Sequence, residues 1–186
     1  VFDNFSTGRL ENLDHVHDSI EIVECDLSVQ GKWIQNFSNA DWVFHLAALA
    51  DLVPSIENPD TYYKSNVNGT FNILEACRKH KVKKIVYSAS SSCYGFCNKR
   101  TTEKEKIKPQ YPYALSKNLG EQAALHWYKV YNLPVNSVRI FNAYGPRVRT
   151  TGAYGAVFGV FLAQKLAGQP YTVVGDGEQT RDFTYV

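Results

Sequence analysis

Tyr113 and Lys117 stand four residues apart, and on a helix that spacing stacks both side chains on one face with β-carbons about 5–6 Å apart. An ammonium beside a phenol favours the phenolate and draws the tyrosine down from its usual ~10 towards working pH. A tyrosine tuned in this way can take a proton from an alcohol oxygen and return it. Shortly before the pair, the apolar run Ile85-Val86-Tyr87 leads into Ser88-Ala89-Ser90-Ser91-Ser92. If the run is a strand, a hydroxyl at its end could reach the same oxygen. Taken alone, the Tyr-x-x-x-Lys pair equally describes an exposed helix whose lysine stem lies along the surface.

The elements needed to hold these groups are legible on either side. A strand Lys84–Tyr87, a helix Tyr113–Tyr131 and a strand Asn136–Phe141 form one β-α-β repeat. Upstream, Ile20–Cys25 alternates and is expected to be a strand. Asp41–Leu46 is a continuous apolar run, suited to a parallel strand buried on both faces, and its His45 fits a core histidine better than a ligand. Between Pro59 and His80 the positions Tyr63, Val67, Phe71, Leu74 and Cys77 recur at helical spacing and predict one buried stripe. Downstream, the pattern predicts a helix Val157–Leu166 closed by Gly168, a short strand Tyr171–Val174 and a turn at Gly175-Asp176-Gly177. Alternating strands and helices define an α/β fold, a doubly wound parallel sheet with its chemistry at the carboxyl ends of the strands. Ser90, Tyr113 and Asn142 all fall at such ends.

Composition narrows the function classes. The chain has 186 residues and a net charge of +2, with both signs interspersed rather than gathered into the basic face of a nucleic-acid binder. The one basic block, Arg78-Lys79-His80-Lys81 with Lys83 and Lys84, closes a predicted helix, where cations suit the dipole. No stretch is apolar for the ~18 residues of a membrane span. Cys25, Cys77, Cys93 and Cys97 have neither metal spacing nor the density of a disulfide scaffold, so reduced thiols in a cytoplasmic protein and no metal are expected. Cys93 and Cys97 lie near the serine cluster but have nothing beside them in sequence to activate a thiolate.

Three motifs, in order, carry a resemblance: Tyr87–Gly95 (YSASSSCYG), Tyr111–Lys117 (YPYALSK) and Arg139–Arg147 (RIFNAYGPR). Together they resemble the extended short-chain dehydrogenase/reductase family, and within it the nucleotide-sugar epimerases and dehydratases, over essentially the whole chain. The resemblance implies a Rossmann-like sheet and NAD as cofactor. It implies an incomplete domain too, because no Gly-x-x-Gly-x-x-Gly turn occurs and the chain starts at Val1 without any methionine; the expectation is a fragment lacking the first strand and glycine-rich turn. Residues 1–150 would be the partial NAD-binding domain and 151–186 the start of a nucleotide-sugar lobe.

The same resemblance distributes roles. Ser90, Tyr113 and Lys117 take the catalytic positions. Asp3, with Asn4, ends a strand where a carboxylate accepts from the adenosine ribose and disfavours the 2′-phosphate of NADP. Asp26 and Leu27 fall where the family covers the adenine, and Leu46, Ala47 and Ala48 form a small-residue turn that lets backbone approach the cofactor. Asn66 supports the nicotinamide end, which Tyr113 and Lys117 would also touch. Asn142 and Arg181 would hold the sugar diphosphate, with Ser90 on the sugar, and a planar, permanently charged fork suits the diphosphate better than lysine would. Dehydratases of the family carry Asp-Glu after the catalytic serine or threonine and decarboxylases a glutamate; here Ser91 and Ser92 stand there. That favours 4-epimerisation of a UDP-sugar by a homodimer, against the alternatives of dehydratase, decarboxylase, 4-ketoreductase or a silent NAD-binding module.

Overall fold

A computed structural model describes residues 1–97, 100–148, 150, 157–173 and 175–186. The chain forms two compact units, Val1–Arg139 and Ile140–Val186. The boundary expected at 150/151 adjoins residues outside the described ones, and Val174, expected to end a strand, lies outside them.

In the first unit, β1 (Phe2–Asp3) pairs in parallel with β2 (Val23–Glu24). Separately, β3 (Trp42–His45), β4 (Lys84–Ser90) and β5 (Val135–Ile140) form a three-stranded sheet in that order, with β3 and β4 parallel. β2 is shorter than the predicted Ile20–Cys25, although the pairing extends through the hydrogen bonds of Val23 and Cys25 to Val1 and Asp3. α1 (Leu52–Glu57), α2 (Pro59–Tyr63), α3 (Gly69–Lys79) and α4 (Pro112–Tyr131) supply the helices, and a π turn, Lys64–Asn68, joins α2 to α3. Trp33, Phe37, Leu74, Ile85, Tyr87 and Trp127 anchor one apolar core between helices and sheet.

Two expectations about burial are corrected. β3 is not buried on both faces: Trp42 and Phe44, on one face, are 56% and 62% exposed and line a cavity, while His45 on the other face is buried. The inward stripe of α2–α3 is not Tyr63, Val67 and Phe71; Tyr63 and Phe71 are exposed, while Tyr62, Asn66, Thr70, Ile73, Leu74 and Cys77 are buried. The wider π turn breaks the 3.6-residue rhythm, and polar residues that do work inside the unit occupy the buried positions.

In the second unit, β6 (Asn142–Tyr144) pairs in parallel with β7 (Phe183–Tyr185), and α5 (Val157–Leu166) ends near Gly168, whose φ of +65° suits glycine. Tyr171–Val173 are not a strand; instead the Gln164 side chain holds Thr172 through the backbone N–H and the hydroxyl. Among the described residues no helix is long and apolar enough to cross a membrane.

Candidate active site

β4 delivers Ser90 to the carboxyl edge of its sheet, where the chain leaves the strand through a 3₁₀ turn, Ser91–Tyr94. Ser90 caps that turn by accepting the Ser92 N–H at 3.2 Å. α4 begins at Pro112, whose fixed φ suits a first helical turn, and the Tyr113 N–H, one of the unpaired donors of that turn, is taken up by Ser55 Oγ at 3.1 Å. Tyr113 therefore starts from a fixed backbone, and its hydroxyl donates to Ser90 Oγ at 3.2 Å. Gly120 lets α4 lie close on β4: a β-carbon there would stand 2.3 Å from the Tyr87 hydroxyl, which donates instead to the Lys117 carbonyl.

Lys117 is 4% exposed. Its ammonium lies 4.7 Å from the centroid of the Tyr87 ring, and burial lowers its pKa from 10.5 to about 8. The expected tuning of Tyr113 by this ammonium is corrected here. Burial raises the Tyr113 pKa, the Ser90 hydrogen bond opposes that rise, and the charge of Asp51 adds to it. Desolvation is the largest cause; the Lys117 ammonium faces the Tyr87 ring, and no hydrogen bond joins it to the Tyr113 hydroxyl among the described residues.

A cavity of about 680 Å³ opens between β1 and β3. Asp3, Asn4, Asp26, Leu27, Leu46, Ala47 and Ala48 all line it. The Asp3 carboxylate is held by accepting the Phe5 N–H at 2.8 Å, and Asp26 by accepting that of Ser28 at 2.8 Å. Gly8 leaves the Asp3 carboxylate room, since a β-carbon there would approach it to 2.8 Å. A carboxylate beside apolar and small residues in a cleft of this size suits a ribose diol next to a flat base, so the residues present fit the adenosine part of a dinucleotide. His45 also lines the cavity. Its Nε2–H donates to the Thr70 hydroxyl at 2.8 Å while that hydroxyl donates to the Asn66 carbonyl; its Nδ1 has no partner among the described residues.

Asn66 does not line the cavity. It is buried, and its amide accepts the Leu49 N–H at 2.8 Å while donating to the Leu49 carbonyl and to Ser116 Oγ, both at 2.9 Å. It thereby ties the loop after β3 to α4. Asn142 and Arg181 belong to the second unit, where the Asn142 amide donates to the Asp182 carbonyl at 2.8 Å and Arg181 lines a largely apolar cavity with Phe158, Phe161 and Phe183.

Several partners were not anticipated. Ser55, 58 residues from Tyr113 in sequence, and Asp51 on the approach to α1 leave no local signal. Glu121 does leave one, since it follows Tyr113 and Lys117 at the same four-residue step. It accepts from Arg139 and Ser137 on β5.

Residues 1–186 match the NAD dependent epimerase/dehydratase family throughout. The UDP-N-acetyl-alpha-D-glucosaminuronate decarboxylase of Bacillus cytotoxicus is 34% identical, over 100% of this chain and 59% of its own length. Among solved structures, the UDP-N-acetylglucosamine 4-epimerase of Methanobrevibacter ruminantium in complex with UDP-N-acetylmuramic acid superposes with a TM-score of 0.93 at 35% identity, covering 99% of this chain and 60% of that one. The UDP-glucose 4-epimerase of Thermus thermophilus in complex with NAD gives 0.87 at 30% identity, covering 100% and 61%. The chain thus spans about 60% of the length of these three relatives. With the parallel sheets, the Tyr113–Ser90 pair and the match over every residue, the chain belongs to the NAD-dependent epimerase/dehydratase family.

Proposed function

We propose that the protein carrying this chain catalyses the NAD-dependent 4-epimerisation of a nucleotide-diphosphate sugar, a UDP-hexose or UDP-N-acetylhexosamine, through a transient 4-keto sugar. The observation that carries the reading is the 3.2 Å contact between the Tyr113 hydroxyl and Ser90 Oγ, at the end of a strand where Ser91 and Ser92 follow instead of carboxylates. Water elimination and decarboxylation need a further acid or base after the first oxidation. Epimerisation needs only proton transfer at one oxygen and a turn of the ketone. When bound, NAD supplies the hydride acceptor and donor for C4.

In this reading Tyr113 holds the proton of the sugar 4-hydroxyl, taking it from one face and returning it on the other. Ser90 shares that hydrogen bond and keeps the phenol oriented. Lys117, with its pKa brought to about 8 by burial, gains a favourable partner in any hydroxyl pair that enters beside it, as the nicotinamide ribose would. Asp3 and Asn4 would hold the adenosine ribose, Asp26 and Leu27 the adenine, and Leu46, Ala47 and Ala48 the backbone approach, with NAD preferred to NADP. Asn66 acts through Leu49 rather than by touching the cofactor. Asn142, just after β5, and Arg181, in the lobe expected over 151–186, would bind the sugar diphosphate.

Tyr113→Phe, in the whole protein, tests the assignment. Turnover of a UDP-hexose should fall by ~10²–10⁴-fold with NAD still bound; near-normal turnover would remove Tyr113 and the epimerase reading together.

A further inference from the structure

The two elements that meet at the Tyr113–Ser90 contact are joined a second time, about 12 Å or a little over two helical turns along α4. Glu121 is 4% exposed on that helix. Its carboxylate accepts the Arg139 Nε–H at 3.0 and 3.1 Å and the Ser137 hydroxyl at 2.7 Å. The Arg139 guanidinium, on β5, then donates from Nη1 to the Tyr94 hydroxyl at 2.7 Å and lies 4.9 Å from the centre of that ring. Tyr94 is the last residue of the 3₁₀ turn that Ser90 caps, and it is buried. The Cys93 carbonyl in the same turn accepts the Lys108 N–H at 2.8 Å, and Gly95 leaves it at φ +70°, where a β-carbon would strike the Lys108 carbonyl.

A buried ion pair adds little net stability, because desolvating both charges offsets their attraction. What this one contributes is geometry. Burial works against the Arg139 charge, yet the Tyr94 hydroxyl and the Glu121 carboxylate hold its pKa above the usual arginine range. The fork therefore stays charged and keeps a fixed direction from helix to turn.

We propose that Glu121, Arg139 and Tyr94 are positioning residues, a clamp that fixes the turn carrying Ser90 against the helix carrying Tyr113 and Lys117, and so sets the distance across which the two hydroxyls share a proton. This inference rests on the reading of Tyr113 and Ser90 given above. None of the three needs to touch substrate or cofactor.

Tyr94→Phe, made in the whole protein, removes one hydroxyl and keeps the ring. It should lower kcat for UDP-glucose by between about 10-fold and about 100-fold, the scale on which small misplacements of reacting groups act. KM and NAD affinity should stay near those of the parent, while the melting temperature falls by only a few degrees, since the Arg139 guanidinium loses one acceptor. Arg139→Lys retains the charge without the fork and should lose kcat similarly; the double variant should lose no more than the worse single one, as members of one unit do. Amide exchange across residues 91–95 should become faster in both. Unchanged kcat in Tyr94→Phe, or a loss matched by an equal loss of folded protein, overturns the clamp. Tyr113→Phe in the same assay separates the two readings: activity retained there sinks the epimerase assignment, whereas activity lost there but kept in Tyr94→Phe sinks only the clamp. If the parent does not turn over UDP-glucose, unchanged exchange at 91–95 in Tyr94→Phe overturns the clamp and faster exchange supports it.

Discussion

The Tyr113 hydroxyl donates to Ser90 Oγ at 3.2 Å, while the ammonium of Lys117, one turn further along the same helix, lies 4.7 Å from the Tyr87 ring. The phenol is thus paired with a neutral hydroxyl and the cation with an aromatic face. Without ligands, burial rather than the cation governs the proton on Tyr113.

Asp51 is one of the charges that hold that proton in place. Asp51→Asn removes a negative charge, which favours the phenolate, so the Tyr113 pKa should fall. The rising limb of kcat against pH should move to lower pH, and steady-state kinetics across pH would show it. A limb that moves up or stays put contradicts the assignment of Asp51.

Lys117 is held at a cost. Its pKa is lowered from 10.5 to about 8, which corresponds to about 3 kcal/mol against the folded state at neutral pH. The sign follows from proton counting: below pH 8 both states carry the proton and the full cost is present, and between 8 and 10.5 the folded state releases it first, so this cost is relieved as pH rises. Lys117→Met should therefore raise stability at pH 7 by up to about 3 kcal/mol while abolishing turnover. Denaturant melts at pH 7 and pH 9.5 check it, since the gain should shrink at the higher pH.

His45 acts at the other end of the scale. Burial, with the nearby charge of Lys117, lowers its pKa from 6.5 to about 3. The unfolded chain then binds a proton that the folded one refuses, so stability is full above pH 6.5 and falls by about 1.4 kcal/mol per pH unit as pH drops towards 3. His45→Gln keeps a donor for Thr70 but cannot titrate. Its melting temperature should fall less steeply below pH 6.5 than that of the parent, and parallel acid limbs would exclude His45 as the cause.

At Gly120 helix propensity and packing oppose each other. Alanine would gain about 1 kcal/mol in helix propensity, but its β-carbon would stand 2.3 Å from the Tyr87 hydroxyl and 2.9 Å from the ring carbon that bears it. Overpacking of this kind costs about 1–3 kcal/mol, so Gly120→Ala should be destabilising on balance. Adding Tyr87→Phe should recover part of the loss, because it removes the nearer atom; thermal denaturation of the two variants and their combination measures the recovery.

The strands of the first unit, α4 and the serine cluster were legible because each is local, as apolar runs, a proline at a helix start and a four-residue step, whereas β6 and β7 carry no such local pattern and were missed. The failures have a common physical origin in contacts made across the chain. Phe71 looked like core because its spacing was right, yet Asn66 and Thr70 take the inward positions since their polar atoms are satisfied there by Leu49, Ser116, His45 and the helix's own backbone. The expected lowering of the Tyr113 pKa assumed that proximity along the helix decides the matter; desolvation, which only the packed structure reveals, decides it instead. Glu121 was within reach of sequence reasoning, but its partners Ser137 and Arg139 lie 16 and 18 residues away on β5, and Tyr94, which Arg139 reaches in turn, lies 45 residues from that arginine.

Among the described residues β3 ends its sheet, with Trp42 and Phe44 exposed, and the backbone groups on such an outer side can pair with another strand. Mass action makes the stability of such an edge depend on how often another strand meets it. The 186-residue chain on its own should accordingly have no single melting temperature: its unfolding midpoint becomes a function of protein concentration, and the strand that reads as interior in sequence behaves in isolation as a surface.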